Sequence, residues 1–246
     1  MTKNKTTLLL CAIMLISSLM PTFIYAQNIK GNGKIKTEVR QISGFNRLVV
    51  QGQVELFLSQ ESTENVKIES EENLISLFQT TVSDGTLHVV VPNIKKAAKL
   101  SITVSFKELK QIILLNEVTV KSEKVSNFDN IEIVCAGMSK LNLELKAANC
   151  DLKILDSGNA FLRGYSENLI VEAHDDAEAN TFDLQSDNCT IYGSGYAEIS
   201  VNAKKSLNIT MSGNCNLYYL GEANITQRNF NSSGLITKRK TSGTNN

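Results

Sequence analysis

The carboxylates between residues 156 and 198 are the side chains of this sequence that could most readily do chemistry. This window holds nine acidic residues, a single arginine and no lysine. Clustered carboxylates can supply the several oxygens that a hard cation such as Ca²⁺ needs. Two carboxylates about 5 to 10 Å apart could instead cleave a glycosidic bond. The nine are Asp156, Glu167, Glu172, Asp175, Asp176, Glu178, Asp183, Asp187 and Glu198.

Three hypotheses account for this acidic window. The one we favour is a solvated face that keeps the protein soluble and prevents sideways aggregation. A second is a ligand-binding turn for Ca²⁺ or a cationic partner at Asp175, Asp176 and Glu178, although their spacing lacks the order of an EF-hand loop. A third is a glycosidase pair, Asp156 and Asp176, but the chain has no tryptophan to serve as a sugar platform. We therefore predict no catalytic residue, no metal and no cofactor.

The histidines and one tyrosine pair are the other candidates. His88 and His174 have no nucleophile placed near them by the sequence, so we expect surface or hydrogen-bonded strand histidines. Tyr218 and Tyr219 could together form a binding patch, because tyrosine gives rigid contact area. Adjacent strand residues face opposite sides, which favours one core tyrosine and one surface tyrosine.

A repeat of about 20 residues positions these side chains. Each unit combines a short apolar strand with a small turn residue, and a fixed period of this size is typical of stacked coils. Each coil would add one parallel strand about 4.8 Å along the axis. We therefore predict an all-β solenoid in which neighbouring coils cover each other's apolar faces. The turn anchors are Asn116, Gly137, Gly158, Asp175, Gly195, Gly213 and Gly234.

The part of the chain before the repeat has a different pattern. Asp84-Gly85 lies between two β-prone runs and suits a tight primed hairpin turn. We expect an antiparallel section over residues 27–105, a solenoid section over 106–236 and a polar tail over 237–246. Residues 27–236 are predicted to form one continuous domain.

The first 26 residues have the layout of a secretory signal peptide. Lys3 and Lys5 precede an apolar run over residues 8–19, and Ala26 ends a small-residue cleavage site. That run is shorter than the roughly 20 residues of a membrane span, and no second apolar segment of that length follows. The whole chain is neutral, so loss of the two lysines leaves a slight acidic excess, which argues against a nucleic-acid partner.

Four cysteines remain after the leader. Export would allow disulfides, but the cysteines stand at different offsets from their nearest anchors. Stacking therefore does not bring any two together within the roughly 7 Å that a bridge needs. We favour four buried thiols that act as small apolar residues. The four are Cys135, Cys150, Cys189 and Cys215.

Three ordered stretches carry a resemblance to a known family. They are GNG and RQISGFNRLVV at 31–33 and 40–50, ENLI and VSDGTL at 72–75 and 82–87, and LNITMSGNCNLYYLG at 207–221. Together they resemble the family described as putative auto-transporter adhesin, head GIN domain, over roughly residues 31–236. Several Gly-Ser-Gly turns of that family are replaced here, for example by Asp175-Asp176. The resemblance implies a right-handed parallel β-helix-like fold, a cell-surface or adhesive role and no established catalytic residues.

The combined prediction is an exported, non-enzymatic binding protein of the periplasm, the outer-membrane surface or the extracellular space. It would recognise a surface protein or glycan through a solenoid face, with Asp175, Asp176, Glu178, Tyr218 and Tyr219 as candidate ligand-binding residues. One alternative is a polysaccharide-active enzyme that uses the acidic window. Another is a structural scaffold that self-associates through open solenoid edges.

Overall fold

The protein is all-β, as predicted. The computed structural model describes residues 29–122 and 124–240, so the predicted signal peptide and the last six residues of the tail lie outside the described part. Strands account for 70% of the chain and helix for 2%. Within the described residues, no helix has the length and apolar character that crossing a membrane requires.

The N-terminal strands contain all of the antiparallel pairs found in the described structure. β1 pairs with β3, β3 with β6, and β4 with β5. The predicted hairpin is confirmed, because Asp84 and Gly85 both have positive φ, 49° and 72°, between β4 and β5. The elements are β1 (Ile35–Gln41), β2 (Arg47–Gln60), β3 (Asn65–Glu71), α1 (Glu72–Ile75), β4 (Gln79–Ser83), β5 (Thr86–Val90) and β6 (Leu100–Phe106).

Parallel stacking begins at β2, which pairs in parallel with β5, β6 and β7. From there the coils stack along one axis into a solenoid of about seven turns. The remaining strands are β7 (Gln111–Ser122), β8 (Ser126–Cys135), β9 (Lys140–Ile154), β10 (Asn159–Ala173), β11 (Glu178–Gly193), β12 (Glu198–Gly213), β13 (Asn216–Leu220), β14 (Asn224–Ser232) and β15 (Ile236–Lys238).

The core is a set of apolar columns that run through the stacked coils. In one column Leu152, Val171, Ile191 and Ile209 are partners on successive strands, and each is fully buried. Burying one such side chain stabilises the fold by about 1.5–3 kcal/mol. No coil can bury its own apolar face, so stability comes from the stack as a whole.

In the described structure, six successive coils each have a residue in the left-handed conformation at the same corner. Their column runs through successive coils, and an aspartate replaces glycine twice, because a short polar side chain tolerates this region. The anchor predicted at Gly158 is wrong, since Asp156 occupies the corner instead. The last anchor is also shifted, because Gly213 pairs with Ser232 rather than Gly234. The column is Asn116 (φ 76°), Gly137 (72°), Asp156 (60°), Asp175 (60°), Gly195 (71°) and Gly213 (74°).

A second bend of the coils carries an asparagine ladder. The Asn149 side-chain amide donates to Asn130 at 2.7 Å, Asn168 donates to Asn149 at 2.9 Å, and Asn188 donates to Asn168 at 3.0 Å. The Ser206 hydroxyl completes the ladder by donating to Asn188 at 2.8 Å. The repeat predicts a short strand in each coil, but β9 to β12 are 15 or 16 residues long. Main-chain pairing therefore continues around the bend.

The four cysteines of the coils are buried thiols. The expectation that their positions do not match is wrong for Cys150 and Cys189, which share one column because the corner lies at Asp156. They are two coils apart, and Leu169 lies between them, so about 9.6 Å separates them. Burial raises the pKa of Cys135, Cys150 and Cys189 to about 12. These thiols are therefore unreactive apolar side chains at neutral pH.

Candidate functional site

The acidic turn at residues 175–178 is a corner of the solenoid. Asp175, Asp176 and Glu178 are all exposed. The Asp176 N–H donates to the carbonyl of Asp156 at 2.9 Å, and the Glu178 carboxylate accepts a hydrogen bond from the Asn159 side chain. In the part of the chain that the structure describes, no group of three or more acidic, histidine or cysteine side chains is placed to hold a metal ion. Ligand binding by this turn stays a prediction.

Stacking distributes the other acids of the window over different surfaces. Asp187 pairs with Lys205 at 2.8 Å, and the hydrogen bond from this lysine lowers the pKa of the carboxyl. Arg163 pairs with Glu144 of the preceding coil at 3.4 Å. Within the described residues, no three of these carboxylates are placed to share a metal ion.

The two adjacent tyrosines divide between core and surface, as the strand alternation predicts. Tyr219 packs against the hydrophobic core, on the same side of β13 as the buried Leu217. Tyr218 faces the other way, and the Arg239 guanidinium lies 4.4 Å from its ring centre. Of the two tyrosines, Tyr218 is therefore the one on the outer side of the strand, and its ring already contacts a cation.

A groove on the outer face of β11, β12 and β14 is the feature that the sequence did not reveal. Strand register places Tyr192, Thr210 and Asn229 side by side. His174 and Ser194 form the next row, with 2.6 Å between the imidazole Nδ1 and the hydroxyl Oγ. The groove has a volume of about 400 Å³, and its lining residues are His174, Tyr192, Gly193, Ser194, Thr210, Met211, Ser212, Asn229 and Asn231.

The side chains of this groove suit a hydroxyl-rich ligand. Tyr192 is 39% exposed, so its ring offers a flat surface on which a sugar could pack. Hydroxyl and amide groups around the ring can both donate and accept hydrogen bonds. No carboxylate among the described residues hydrogen-bonds the second ring nitrogen of His174, so the His174–Ser194 pair lacks the third member of a triad.

A charged cluster lies next to the groove on the same outer face. Lys153 pairs with Glu132 at 3.0 Å and with Asp151 at 3.6 Å, and it precedes Glu172 and Tyr192 in one column. Burial raises the pKa of Asp151 and of Glu172. Burial opposes the charge of Lys153, but the hydrogen bond to Glu132 and the surrounding carboxylates raise its pKa. The lysine therefore pairs with Glu132 and Asp151 and attracts the charge of Glu172 at the edge of the groove.

Solved structures of bacterial proteins share this fold. The chain is similar to a putative adhesin from Bacteroides fragilis, with 19% identity, a TM-score of 0.78, and coverage of 85% of this chain and 98% of that chain. It is also similar to a putative adhesin from Parabacteroides merdae, with 21% identity, a TM-score of 0.65, and coverage of 86% of this chain and 99% of that chain. A structure from Parabacteroides distasonis described as a putative lipid binding protein has 20% identity and a TM-score of 0.67. The match covers 86% of this chain and 99% of that chain. At these identities the likeness shows the fold alone.

The part of the chain that matches a family model includes most of the solenoid. A search of curated proteins gave no match to this chain. The family model described as "Putative auto-transporter adhesin, head GIN domain" matches residues 44–223. This range begins just before β2 and ends after β13, so it includes the corner column, the asparagine ladder and most of the outer-face groove. The chain therefore belongs to the putative auto-transporter adhesin, head GIN domain family.

Proposed function

We propose that this protein is exported and works as a non-enzymatic adhesin that binds a surface glycan or protein through the outer face of its solenoid. The observation that carries the proposal is the groove of about 400 Å³ around Tyr192. An exposed aromatic ring surrounded by hydroxyls and amides on a rigid sheet is the kind of surface that sugar recognition needs. These features favour a glycan over a protein as the ligand.

We infer that the acidic corner contributes to the rim of this proposed site. Asp175 follows His174 directly in the chain, and both Asp175 and Asp176 are exposed. Their carboxylates can accept hydrogen bonds from sugar hydroxyls without a metal ion. Glu178 lies two residues beyond Asp176, and Tyr218 offers a second aromatic surface on β13. Export itself rests on the signal-peptide features of residues 1–26.

A glycan array and a surface-protein array, probed with the purified protein, test the proposal. We expect retention on a defined set of glycans, and we expect those glycans to keep their chain length after prolonged incubation. Shortened glycan chains would overturn the proposal in favour of a polysaccharide-active enzyme. Retention only on protein spots would change the ligand class. Absence of any ligand, together with a molecular mass that rises with protein concentration, would favour the self-associating scaffold.

A further inference from the structure

A lysine-lined groove lies at the N-terminal end of the solenoid. It has a volume of about 900 Å³ and lies between the loop at residues 94–100 and the first coils. The same cleft also carries hydrogen-bond acceptors, in particular Glu117 and Thr119. Cationic groups and acceptors are therefore presented together. The lysines that line it are Lys95, Lys96, Lys99 and Lys140.

Hydrogen bonds to neighbouring segments fix the backbone of the loop that carries three of these lysines. The Gly31 N–H donates to the Lys96 carbonyl at 2.8 Å, and the Ser70 hydroxyl donates to the Lys99 carbonyl at 2.8 Å. The Ala98 N–H donates to Glu71 at 2.8 Å, and this carboxylate is only 2% exposed. A fixed backbone presents the lysines before any ligand arrives, which lowers the entropic cost of binding.

Some of these charges are available to a ligand. Lys99 lies 3.8 Å from Glu55. In contrast, no carboxylate of the described residues lies within ion-pair distance of Lys96 or Lys140, and both are exposed. An anion that enters the groove can therefore pair with these two lysines without displacing an internal partner.

The mixture of groups in the groove selects among anionic ligands. Glu55 and Glu117 would repel the closely spaced phosphates of a nucleic acid, and no aromatic side chain lines the groove to stack on bases. A membrane surface would need an apolar patch, whereas Met138 is the one strongly exposed large apolar side chain in the lining. A sugar chain with spaced carboxylates offers anions to the lysines and hydroxyls to the acceptors.

We propose that this groove binds an acidic polysaccharide that carries uronate-type carboxylates. The site is lined by different residues from the groove at Tyr192, and it goes beyond the proposed adhesin function. Binding depends on charge pairing at an open surface, so it weakens as salt concentration rises.

Calorimetric titration with an oligogalacturonate of eight sugars tests this inference. The matched ligand control is the same oligomer with its carboxylates methyl-esterified, and we expect no measurable binding of that form. The double variant Lys96→Gln/Lys140→Gln should bind the acidic oligomer about tenfold more weakly, because two exposed charge pairs are lost. Lys146→Gln/Lys204→Gln makes the same charge change at exposed lysines outside the groove and should retain wild-type affinity.

Three results would overturn the inference. The first is equal binding of the esterified oligomer. The second is an equal loss of affinity in both double variants while their melting temperatures stay unchanged. The third is tighter, lysine-dependent binding of a single-stranded DNA octamer or of phosphatidylglycerol vesicles. None of these results concerns Tyr192, so they leave the proposed adhesin function to be judged by its own arrays.

Discussion

The backbone N–H of Gly137 donates a hydrogen bond of 2.9 Å to the carboxylate of Asp156, one coil further along the solenoid. Both residues have positive φ, 72° and 60°, and both belong to the corner column. Asp156 is one of the two acids that a glycosidase hypothesis would use. Its carboxylate instead satisfies a main-chain donor at a turn, which is the role that short polar residues commonly have in turns.

Substitution by glycine should change the stability of the protein differently at the two corner aspartates. No hydrogen bond to the Asp175 carboxylate is found within the described residues, so Asp175→Gly removes backbone strain and little else. We expect it to be neutral or to stabilise by up to about 1 kcal/mol. Asp156→Gly gains the same relief but loses its bond to Gly137, which is worth about 1 kcal/mol. Urea unfolding of both variants measures the difference, and greater destabilisation by Asp175→Gly would contradict this account.

Loss of an asparagine from the middle of the ladder should cost more stability than loss of one from its end. Asn168 donates to Asn149 and accepts from Asn188, whereas Asn130 at the end of the ladder only accepts from Asn149. Asn168→Ala should therefore cost about 1–2 kcal/mol and Asn130→Ala about half of that. Thermal unfolding monitored by circular dichroism provides the comparison. Equal losses in the two variants would show that the ladder does not act as a chain of side-chain hydrogen bonds.

Lys153→Met should produce a loss of stability that depends on pH. Burial raises the pKa of Asp151 and Glu172, so their ionisation disfavours folding as pH rises from about 4, the ordinary carboxyl pKa, through the raised values. The positive charge of Lys153 offsets this effect. Because the pKa of Lys153 is raised, the side chain is charged at neutral pH and its contribution to stability is complete there. We expect a loss of about 1–2 kcal/mol at pH 7 that shrinks towards pH 4.

The control for this prediction is Lys146→Met, since Lys146 is exposed and lies outside the Lys153 cluster. Its melting temperature should follow the wild-type protein at every pH. If the loss in Lys153→Met were the same at pH 4 and pH 7, the lysine would act through packing of its stem rather than through the three carboxylates.

The sequence predicted the architecture well because the repeat is a local pattern. Apolar strands such as that at Ile209 and turn glycines such as Gly213 recur at a nearly constant period, so the solenoid and the Asp84-Gly85 hairpin are confirmed. The repeat predicts one corner at Gly158 rather than at Asp156, because glycine is the residue type expected at such a turn. That error also concealed the shared column of the two cysteines at positions 150 and 189.

The groove could not be predicted because it depends on register between coils. Tyr192, Thr210 and Asn229 are separated by 18 and 19 residues, and irregularities in the pairing of β11, β12 and β14 decide that they meet. No single coil contains more than a few of the lining residues. The asparagine ladder did have a signal, since Asn130, Asn149, Asn168 and Asn188 recur at 19, 19 and 20 residues.

The most direct test of the central claim compares Tyr192→Ala with Tyr196→Ala. Tyr192 lines the groove, whereas Tyr196 is 68% exposed and does not line it. The measurement is the dissociation constant for the glycan that the array identifies. We predict that Tyr192→Ala weakens binding by about tenfold or more, the loss typical of an aromatic anchor, and that Tyr196→Ala retains wild-type affinity. Unchanged affinity in Tyr192→Ala, or an equal loss in both variants, would contradict the proposal that the outer-face groove binds the ligand.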